Sequence, residues 1–354
     1  MKSLCVLSEE DAVRARAPTR IDFAGGTTDL AAFASREGGA VVSAALARYA
    51  YATALGGEGI ALRGQDLDEY VRADDVRELE MDGQLDLLKA AVHEMGVGGG
   101  FEVRVRCDAP RGSGIGASAS LGVAVIGALE AMRAARVDGP KERMTRADIA
   151  ELACRLEARV GVVGGKQDQY AAALGGFNYM EFHGDEVRVE PIEMPPEMVC
   201  ELEKHLVLCY TGQARLSGAA NQRMIAAYEA GDEVVGAALR RVRGIAGDLH
   251  RAFVAEDLRD LPALLNEEWD CRTRLAEGIV TPVMAEQRDA ALSAGALAGK
   301  ICGAGGGGCV LFYVAPDREA EVRRALVAAG GEPLDFVFDF TGLQRWTCTS
   351  HDDG

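Results

Sequence analysis

The chain has 354 residues, which corresponds to about two average domains and predicts two lobes with a cleft between them. Its net charge of -17, with no basic patch standing out, excludes a nucleic-acid-binding role because the overall field repels polyanions. Although 48% of the residues are hydrophobic, no stretch approaches the roughly 20 uninterrupted apolar residues that span a bilayer, and acidic residues stand where a signal peptide would be apolar. We therefore expect a cytoplasmic protein with neither a nucleic acid nor a membrane as partner.

Nine cysteines are scattered along the chain without the Cys-x-x-Cys spacing that typically marks a zinc site. Their odd number also argues against a complete disulfide framework. We expect reduced thiols, most of them buried in the core.

The N-terminal half is predicted to begin with β-structure. Residues 13–62 alternate apolar and polar side chains and are interrupted by Gly25-Gly26 and Gly38-Gly39, which is typical of strands joined by turns. The same alternation over residues 97–110 predicts a strand that ends at Pro110. Farther along, Thr145 is a suitable N-cap, and apolar residues at helical spacing after it predict an amphipathic helix that ends at Gly161.

A proline-punctuated run at residues 191–198 predicts the passage between lobes, and we place the boundary near Pro195, giving domains 1–194 and 195–354. The elements predicted beyond it are a strand at 205–212, helices between about 219 and 277, a strand after the glycines of 303–308, a helix at 317–329 and a strand at 335–340. This pattern indicates an α+β second lobe.

A glycine-rich loop at residues 110–120, PRGSGIGASAS, leads directly into an alanine-rich helix. Its alternate glycines let several backbone N–H groups converge on one anion, and the N-terminus of the helix adds partial positive charge. A hydroxyl in the first helical turn can cap the helix or bind Mg²⁺. Since the loop contains no lysine, it is not a Walker loop, and its composition alone is equally compatible with an ordinary glycine turn capped by serine.

A second glycine run, GAGGGGC at residues 303–309, satisfies the Gly-x-Gly-x-x-Gly pattern of dinucleotide-binding folds. In those folds the glycines follow a strand and open a helix, whereas here they lead into the apolar run VLFYV. This context disfavours a Rossmann dehydrogenase. A turn that only allows tight packing is the alternative.

Two carboxylates in the middle of the chain are candidate catalytic groups. Asp168 follows a Gly-Gly break at the expected start of a short helix, where it either stabilises the helix dipole or takes part in catalysis. Glu157 lies at the margin of the apolar stripe of the preceding helix, where it faces either a cleft or solvent.

Near the N-terminus, a predicted strand carries Arg20 and Asp22, and a Gly-Gly turn then presents Thr27, Thr28 and Asp29. Polar groups clustered after such a turn suit the hydroxyls of a sugar, although an Asx-type turn is the simpler interpretation. Arg20 is a permanent cation and is our first candidate for the positive charge that the glycine-rich loop lacks.

Four stretches in this order, RIDFAGGTTDL, PRGSGIGASAS, GGKQDQYAAALGG and KICGAGGGGCVLFY, together resemble the GHMP kinases, the superfamily of galactokinase, homoserine kinase and mevalonate kinase. The residues of these motifs are most similar to those of the anomeric sugar kinase branch that acts on D-glycero-D-manno-heptose 7-phosphate. The stretch YTGQARLSG at 210–218 adds to that similarity.

The resemblance implies an α+β, two-lobed fold, with a ribosomal-protein-S5-domain-2-like N-terminal lobe, a C-terminal ferredoxin-like α/β-plait lobe and an active site in the cleft. It implies ATP and Mg²⁺ as cofactors and transfer of the γ-phosphate to the anomeric C1 hydroxyl of heptose 7-phosphate, for nucleotide-activated heptose synthesis. A C1 kinase for an unphosphorylated sugar such as fucose or galactose, and a non-catalytic nucleotide- or sugar-binding homologue, are the alternatives. A homodimer is left open.

By the same resemblance, Asp168 is the catalytic carboxylate with Arg20 beside it, and Ser118 and Glu157 hold the metal. The implied ATP-binding residues are Pro110, Gly112, Ser113, Gly114, Ile115, Gly116, Ala117, Ser118 and Ser120. The implied substrate-binding residues are Asp22, Gly26, Thr27, Thr28, Asp29, Gly165, Lys166, Gln167, Asp168, Tyr210, Arg215, Gly305 and Gly306.

Two details of the motifs bear on specificity. A phosphate at the far end of the sugar requires a cation, and Lys166, Arg215 and Lys300 are candidates, with Arg215 favoured. Ala117 stands where the superfamily has the first serine of Gly-Leu-Gly-Ser-Ser, while the second serine, Ser118, is retained. We interpret this departure as reduced redundancy at the metal site.

Overall fold

The computed structural model describes residues 12–98, 100–135, 143–214 and 219–348. In these ranges the strands are β1 (Ala12–Ala24), β2 (Gly39–Gly56), β3 (Ile60–Gly64), β4 (Glu69–Ala73), β5 (Phe101–Cys107), β6 (Phe177–His183), β7 (Glu186–Ile192), β8 (Leu206–Tyr210), β9 (Ala296–Ile301), β10 (Cys309–Val314), β11 (Glu332–Leu334) and β12 (Gln344–Cys348). The helices are α1 (Ala31–Glu37), α2 (Asp86–Met95), α3 (Ala117–Ala134), α4 (Arg146–Arg159), α5 (Gln167–Leu174), α6 (Pro196–His205), α7 (Ala219–Glu229), α8 (Glu233–Val254), α9 (Leu261–Thr273), α10 (Pro282–Ala294) and α11 (Glu319–Ala328).

The first lobe is built on a sheet in the order β12-β1-β2-β5-β3-β4, with β6 pairing β2 and β7 along a further edge. Every pair is antiparallel except β3 with β5. Helices α2 to α5 pack on one face of this sheet, and α8 contacts β1 and β2 on the other. Because both faces are covered, the second half of β1 is buried without alternation.

Helix α3 is the central helix of this lobe and follows the glycine-rich loop directly. In the described part of the chain it is the one helix long and apolar enough to cross a membrane, and 67% of it is buried inside the fold. Its small residues allow close packing, since a Cβ at Gly127 would lie 2.9 Å from a methyl group of Leu343. The composition of α3 therefore matches that of a core helix.

The second lobe contains an antiparallel sheet in the order β11-β8-β10-β9. Numbered within this lobe, the order is four, one, three, two, which is that of a ferredoxin-like α/β plait. A division at Pro195 separates the two sheets except for β12, which returns to pair with β1. Strand β12, the last in the described residues, therefore ties the second lobe to the first sheet.

Several local predictions can be compared directly with the structure. The predicted strand before Pro110 is β5, and Thr145 caps α4 in a full capping box with Asp148, so both predictions are confirmed. Every cysteine in the described ranges is a free thiol, as expected.

Two local predictions are wrong. Residues 335–340 do not form a strand, because the carboxylate of Asp339 accepts hydrogen bonds from its own turn and only Phe338 bridges the first sheet. Within residues 13–62, the short helix α1 interrupts the predicted strands. Its buried pair, Phe33 and Ala34, is too short a pattern to indicate a helix in the sequence.

Candidate active site

A cavity of about 500 Å³ lies where the two lobes meet. Its wall combines the glycine-rich loop, the turn after β1, the connection between α4 and α5, the start of α7, and the first residues of the second glycine run. This volume lies within the usual range of small-molecule sites.

The glycine-rich loop has the backbone geometry of an anion cradle. Gly112, Gly114 and Gly116 have φ angles of 71°, 75° and 79°, in the left-handed region that glycine favours. A Cβ at Gly114 would lie only 2.7 Å from the carbonyl oxygen of Cys302, so the second lobe packs directly on the loop. Gly116 is the N-cap of α3 and offers no side-chain cap, which leaves the first N–H groups of the helix for a ligand.

The two serines at the start of α3 face different surroundings. Ser118 is exposed in the cavity wall. Ser120 is buried and its Oγ donates to the carbonyl oxygens of Pro18 and Gly116, at 2.7 and 2.9 Å. Residues two apart on a helix point about 200° from each other, so the two hydroxyls cannot both face the cavity. The Ser120 hydroxyl, which the sequence analysis includes among the ATP-binding residues, therefore lies away from the cavity.

An ion pair joins β1 to the first turn of α5 inside the cavity. The Nε and Nη2 atoms of Arg20 lie 2.8 and 2.5 Å from Oδ1 of Asp168, and Nη1 donates to the carbonyl oxygen of Gly114 at 2.7 Å. Burial opposes the charge on Arg20, but Asp168 and Asp22 together raise its pKa above the ordinary value. The guanidinium thereby connects the carboxylate to the glycine-rich loop.

Asp29 supplies a second carboxylate to the cavity wall. Its oxygens accept hydrogen bonds from the backbone N–H and Nε2 of Gln167, at 3.1 and 3.3 Å. Burial raises the pKa of Asp29 to about 6; the nearby charge of Asp168 also raises it, while the bond from the Gln167 backbone opposes the shift. The cavity wall therefore contains one carboxylate, that of Asp29, that holds its proton to a higher pH than an ordinary aspartate.

Three side chains of the wall carry buried polar atoms without a partner among the described residues: Oγ1 of Thr27, Oγ of Ser113 and Oε1 of Gln167. Buried polar atoms are normally hydrogen-bonded, so these three atoms have unused hydrogen-bonding capacity beside the cavity. Ser113 belongs to the glycine-rich loop, and Thr27 and Gln167 lie beside Asp29. The wall is therefore prepared for hydrogen bonds at both ends.

Glu157 lies in the cavity wall and is 8% exposed. Its Oε2 accepts a hydrogen bond of 2.6 Å from Nε2 of Gln169, which fixes the carboxylate. The described residues contain no cluster of three or more His, Cys, Asp or Glu that would hold a metal by themselves. A single carboxylate and the Ser118 hydroxyl fit Mg²⁺, which takes few protein oxygens and completes its shell with phosphate oxygens and water.

The structure brings most of the predicted site residues together. Those in the cavity wall are Arg20, Thr27, Asp29, Gly112, Ser113, Gly114, Gly116, Ala117, Ser118, Glu157, Gly165, Gln167 and Asp168. Those away from the wall are Asp22, Gly26, Thr28, Pro110, Ile115, Ser120, Lys166, Tyr210, Gly305 and Gly306. Arg215 lies outside the described residues.

The misplaced polar candidates have structural partners instead. Asp22 and Lys300 are fully buried and pair with each other at 2.7 Å. Thr28 Oγ1 donates to Gly25 and accepts from the backbone N–H of Ala40. Lys166 lies 3.4 Å from Glu151 and donates to a backbone carbonyl.

The misplaced glycines meet packing requirements. A Cβ at Gly305 would lie 2.6 Å from the carbonyl oxygen of Ile279, and one at Gly26 would lie 2.2 Å from Oδ2 of Asp22. Both positions therefore need glycine because of protein neighbours.

The sequence interpretation missed several wall residues. Arg111 is exposed beside the loop and makes no hydrogen bond or ion pair with any residue that the structure describes. Because Arg111 lies inside the stretch PRGSGIGASAS, the sequence does indicate a cation at the glycine-rich loop. Asn221 and Gln222 reach the cavity from α7, and Val162 and Val163 line it from the α4–α5 connection; no local motif marks these four.

Comparison with known proteins agrees with this architecture. The models for the GHMP kinases N-terminal domain and the GHMP kinases C-terminal domain match residues 85–176 and 249–332. The chain is 30% identical over 343 residues to D-glycero-alpha-D-manno-heptose 7-phosphate kinase of Campylobacter jejuni, covering 94% of this chain and 98% of the relative. It is also 30% identical over 258 residues to mevalonate kinase of Thermococcus gammatolerans, covering 70% and 69% of the two chains.

Solved structures match the whole fold. A D-glycero-D-manno-heptose 1-phosphate kinase from Bacteriodes thetaiotaomicron superposes with a TM-score of 0.77 at 30% identity, covering 96% of this chain and 100% of that one. Galactokinase of Lactococcus lactis superposes with a TM-score of 0.73 at 20% identity, covering 96% of each chain, and shows the fold alone. The predicted two-lobed fold is confirmed, and the chain belongs to the GHMP kinase family of ATP-dependent phosphotransferases.

Proposed function

We propose that the protein is a sugar kinase that transfers the γ-phosphoryl group of ATP to the C1 hydroxyl of D-glycero-D-manno-heptose 7-phosphate, giving the 1,7-bisphosphate. The observation that carries this proposal is the Arg20–Asp168 pair, which holds a carboxylate beside the anion-cradling loop. The 30% identity to a heptose 7-phosphate kinase over nearly the whole chain supports the choice of sugar. Mevalonate kinases match a smaller share of the chain.

The donor side of the site is assigned to the glycine-rich loop. Its amides and the N-terminus of α3 would hold the β- and γ-phosphates, and the free guanidinium of Arg111 at the edge of the loop would add a positive charge. Mg²⁺ bound by Ser118 and Glu157 would neutralise charge on the phosphate oxygens during transfer. Gln169 would keep Glu157 in position.

The acceptor side is assigned to the turn after β1 and the start of α5. Asp168 would accept the proton of the C1 hydroxyl as that oxygen attacks the γ-phosphorus and ADP leaves. Arg20 orients Asp168 and places a fixed positive charge near the oxygens in transfer. Thr27, Asp29 and Gln167 would hydrogen-bond the sugar hydroxyls.

Recognition of the 7-phosphate remains assigned to Arg215. Lys166 and Lys300 are engaged with Glu151 and Asp22, so neither is offered to the cavity. A C1 kinase for an unphosphorylated sugar is the second candidate, because the described wall offers abundant polar groups but few cations.

ADP release from Mg-ATP over a panel of heptose 7-phosphate, heptose, fucose, galactose and mevalonate tests the proposal. We expect the highest kcat/KM with heptose 7-phosphate. Asp168→Asn should lower kcat by about 10² to 10⁴ with the fold intact, the usual range for a general base. Asp270→Asn, at an exposed aspartate outside the cavity, is the matched control. Near-wild-type turnover of Asp168→Asn would show that no catalytic carboxylate is required there.

Arg111→Gln tests the donor side. Loss of a charge-assisted hydrogen bond to phosphate should weaken binding of a non-hydrolysable ATP analogue about tenfold, and less so at high salt, where an exposed charge is screened. Titration calorimetry at two ionic strengths measures both effects. Arg155→Gln, which removes an exposed arginine away from the cavity, should leave the Kd unchanged. Equal affinities of the two variants would remove Arg111 from the site.

Asp29→Asn tests the carboxylate with the raised pKa. An aspartate whose folded-state pKa is about 6, against an ordinary 3.8, favours folding most when protonated. That stabilisation is fully present below about pH 4 and is lost as the pH rises through about 6. Relative to Asp29→Asn, the wild-type free energy of unfolding should fall by on the order of 3 kcal/mol between those limits.

Urea unfolding at a series of pH values measures this difference between the two proteins. Because only the difference between wild type and variant is used, titration of carboxylates that do not interact with Asp29 cancels. A difference for Asp29→Asn that does not change between about pH 4 and pH 6 would refute the raised pKa.

A further inference from the structure

Four charged side chains are completely buried where the lobes meet. They are Asp22 of β1, Glu268 and Arg272 of α9, and Lys300 of β9, each with 0% exposure. Lys300 Nζ lies 2.7 Å from Asp22 Oδ2, and Arg272 Nε lies 2.9 Å from Glu268 Oε1. Two longer contacts, Arg272 to Asp22 at 3.5 Å and Lys300 to Glu268 at 3.7 Å, close the group. We call these four residues the buried charge cluster.

The buried charge cluster binds the backbone of two loops that line the cavity. Arg272 donates from Nη2 to the carbonyl oxygen of Gly26 at 3.0 Å and from Nη1 to that of Gly303 at 2.7 Å. The N–H of Gly303 donates to Asp22 Oδ1 at 3.3 Å. One guanidinium therefore spans from the turn after β1 to the second glycine run.

These two loops belong to opposite sides of the cavity. The turn after β1 continues into Thr27 and Asp29 of the acceptor side. The second glycine run is bonded to the donor loop, because the N–H of Cys309 donates to the carbonyl oxygen of Ser113 at 2.7 Å. The path from Gly26 through Arg272 to Gly303 thus connects the acceptor wall to the donor loop.

Stability alone does not account for the buried charge cluster. Replacing buried ion pairs by apolar groups of similar size is often neutral or stabilising, since desolvation offsets much of the attraction. Burial would raise the pKa of Asp22, but Lys300, Arg20 and Arg272 together hold it below its ordinary value, so the Asp22 carboxylate stays charged. The distinctive property of the cluster is that it holds the N–H donors of Arg272 in a fixed position toward the carbonyl oxygens of Gly26 and Gly303.

We infer that Arg272 is a positioning residue that sets the distance between the acceptor wall and the donor loop. In phosphoryl transfer, the acceptor oxygen and the γ-phosphate must be held in line, and small displacements of either side reduce the rate strongly. This inference rests on the proposed function for its kinetic consequence. The loop contacts themselves do not depend on which acceptor is used.

Arg272→Lys tests the inference because lysine keeps the charge but lacks the planar fork that reaches both carbonyl oxygens. We expect kcat/KM for the acceptor to fall by about tenfold or more, with the Kd of an ATP analogue changed by less than about twofold. Arg241→Lys is the matched control, since Arg241 also forms a forked ion pair, with Glu267 at the surface, and should behave as wild type. An acceptor kcat/KM within about twofold of wild type in folded Arg272→Lys would overturn the inference.

Amide hydrogen exchange gives a readout that needs no activity. In Arg272→Lys, exchange should accelerate selectively at residues 25–30 and 303–308, the two loops that the guanidinium joins. Unchanged loops, or acceleration spread evenly over the second lobe, would mean a merely structural role and would overturn the inference.

Glu268→Gln keeps the test decisive if the lysine variant does not fold. The glutamine amide can still accept a hydrogen bond from Arg272, but the negative charge that anchors the guanidinium is lost. We therefore expect faster exchange at residues 25–30 and 303–308, and a fall in kcat/KM for the acceptor that is smaller than in Arg272→Lys. Unchanged exchange in these two loops, or acceleration spread evenly over the second lobe, would overturn the inference. If wild-type protein phosphorylates none of the panel, the proposed function fails, while the exchange experiment still judges the positioning role.

Discussion

The site depends on the hydrogen bonds of one buried guanidinium, that of Arg20. It holds Asp168 through two nitrogens and the carbonyl oxygen of Gly114 through the third, and only 2% of the residue is exposed. Three distant segments, β1, the glycine-rich loop and α5, are thereby fixed at one point. Without Arg20, the carboxylates of Asp168 and Asp29 would lose the positive charge that acts on both of them.

Charge explains why this arrangement replaces a Walker loop. The protein carries a net charge of -17, so a polyphosphate meets a repulsive field until it reaches local donors. The amides of the glycine-rich loop and the end of α3 supply partial positive charge, and Arg20 and Arg111 are the cationic side chains of the described cavity wall. In the proposed function, groups from several segments take the place of the missing lysine, with Arg20 bound to the Asp168 carboxylate and Arg111 at the edge of the loop.

The sequence predicted those structural features that depend on short-range patterns of residues. The strand before Pro110, the cap at Thr145 and the glycine-rich loop follow from local chemistry, and four motifs in order indicated the family. The sequence does not show as directly which side of a helix or strand faces the cavity. Ser118 and Ser120 are chemically identical and two positions apart, and only the docking of α3 on the carbonyl of Pro18 distinguishes them.

The same limit applies to charged residues near the motifs. Asp22 and Lys300 stand in motif positions that suggest ligand binding, yet they pair directly with each other across the lobes, and α9 adds Arg272 and Glu268 to the same buried group. That contact joins residues about 250 or more positions apart in the chain, and no periodicity encodes it. Asn221 and Gln222 entered the cavity wall in the same way, through packing of the second lobe.

Phosphorus NMR of the product formed from Mg-ATP and D-glycero-D-manno-heptose 7-phosphate tests the central claim most directly. We predict ADP and a new sugar phosphate resonance coupled to the anomeric proton, beside the retained 7-phosphate signal, and we predict that Asp168→Asn forms neither at an appreciable rate. Release of inorganic phosphate alone, or a new phosphate coupled to a different ring position, would contradict the assignment of Asp168 to the anomeric hydroxyl.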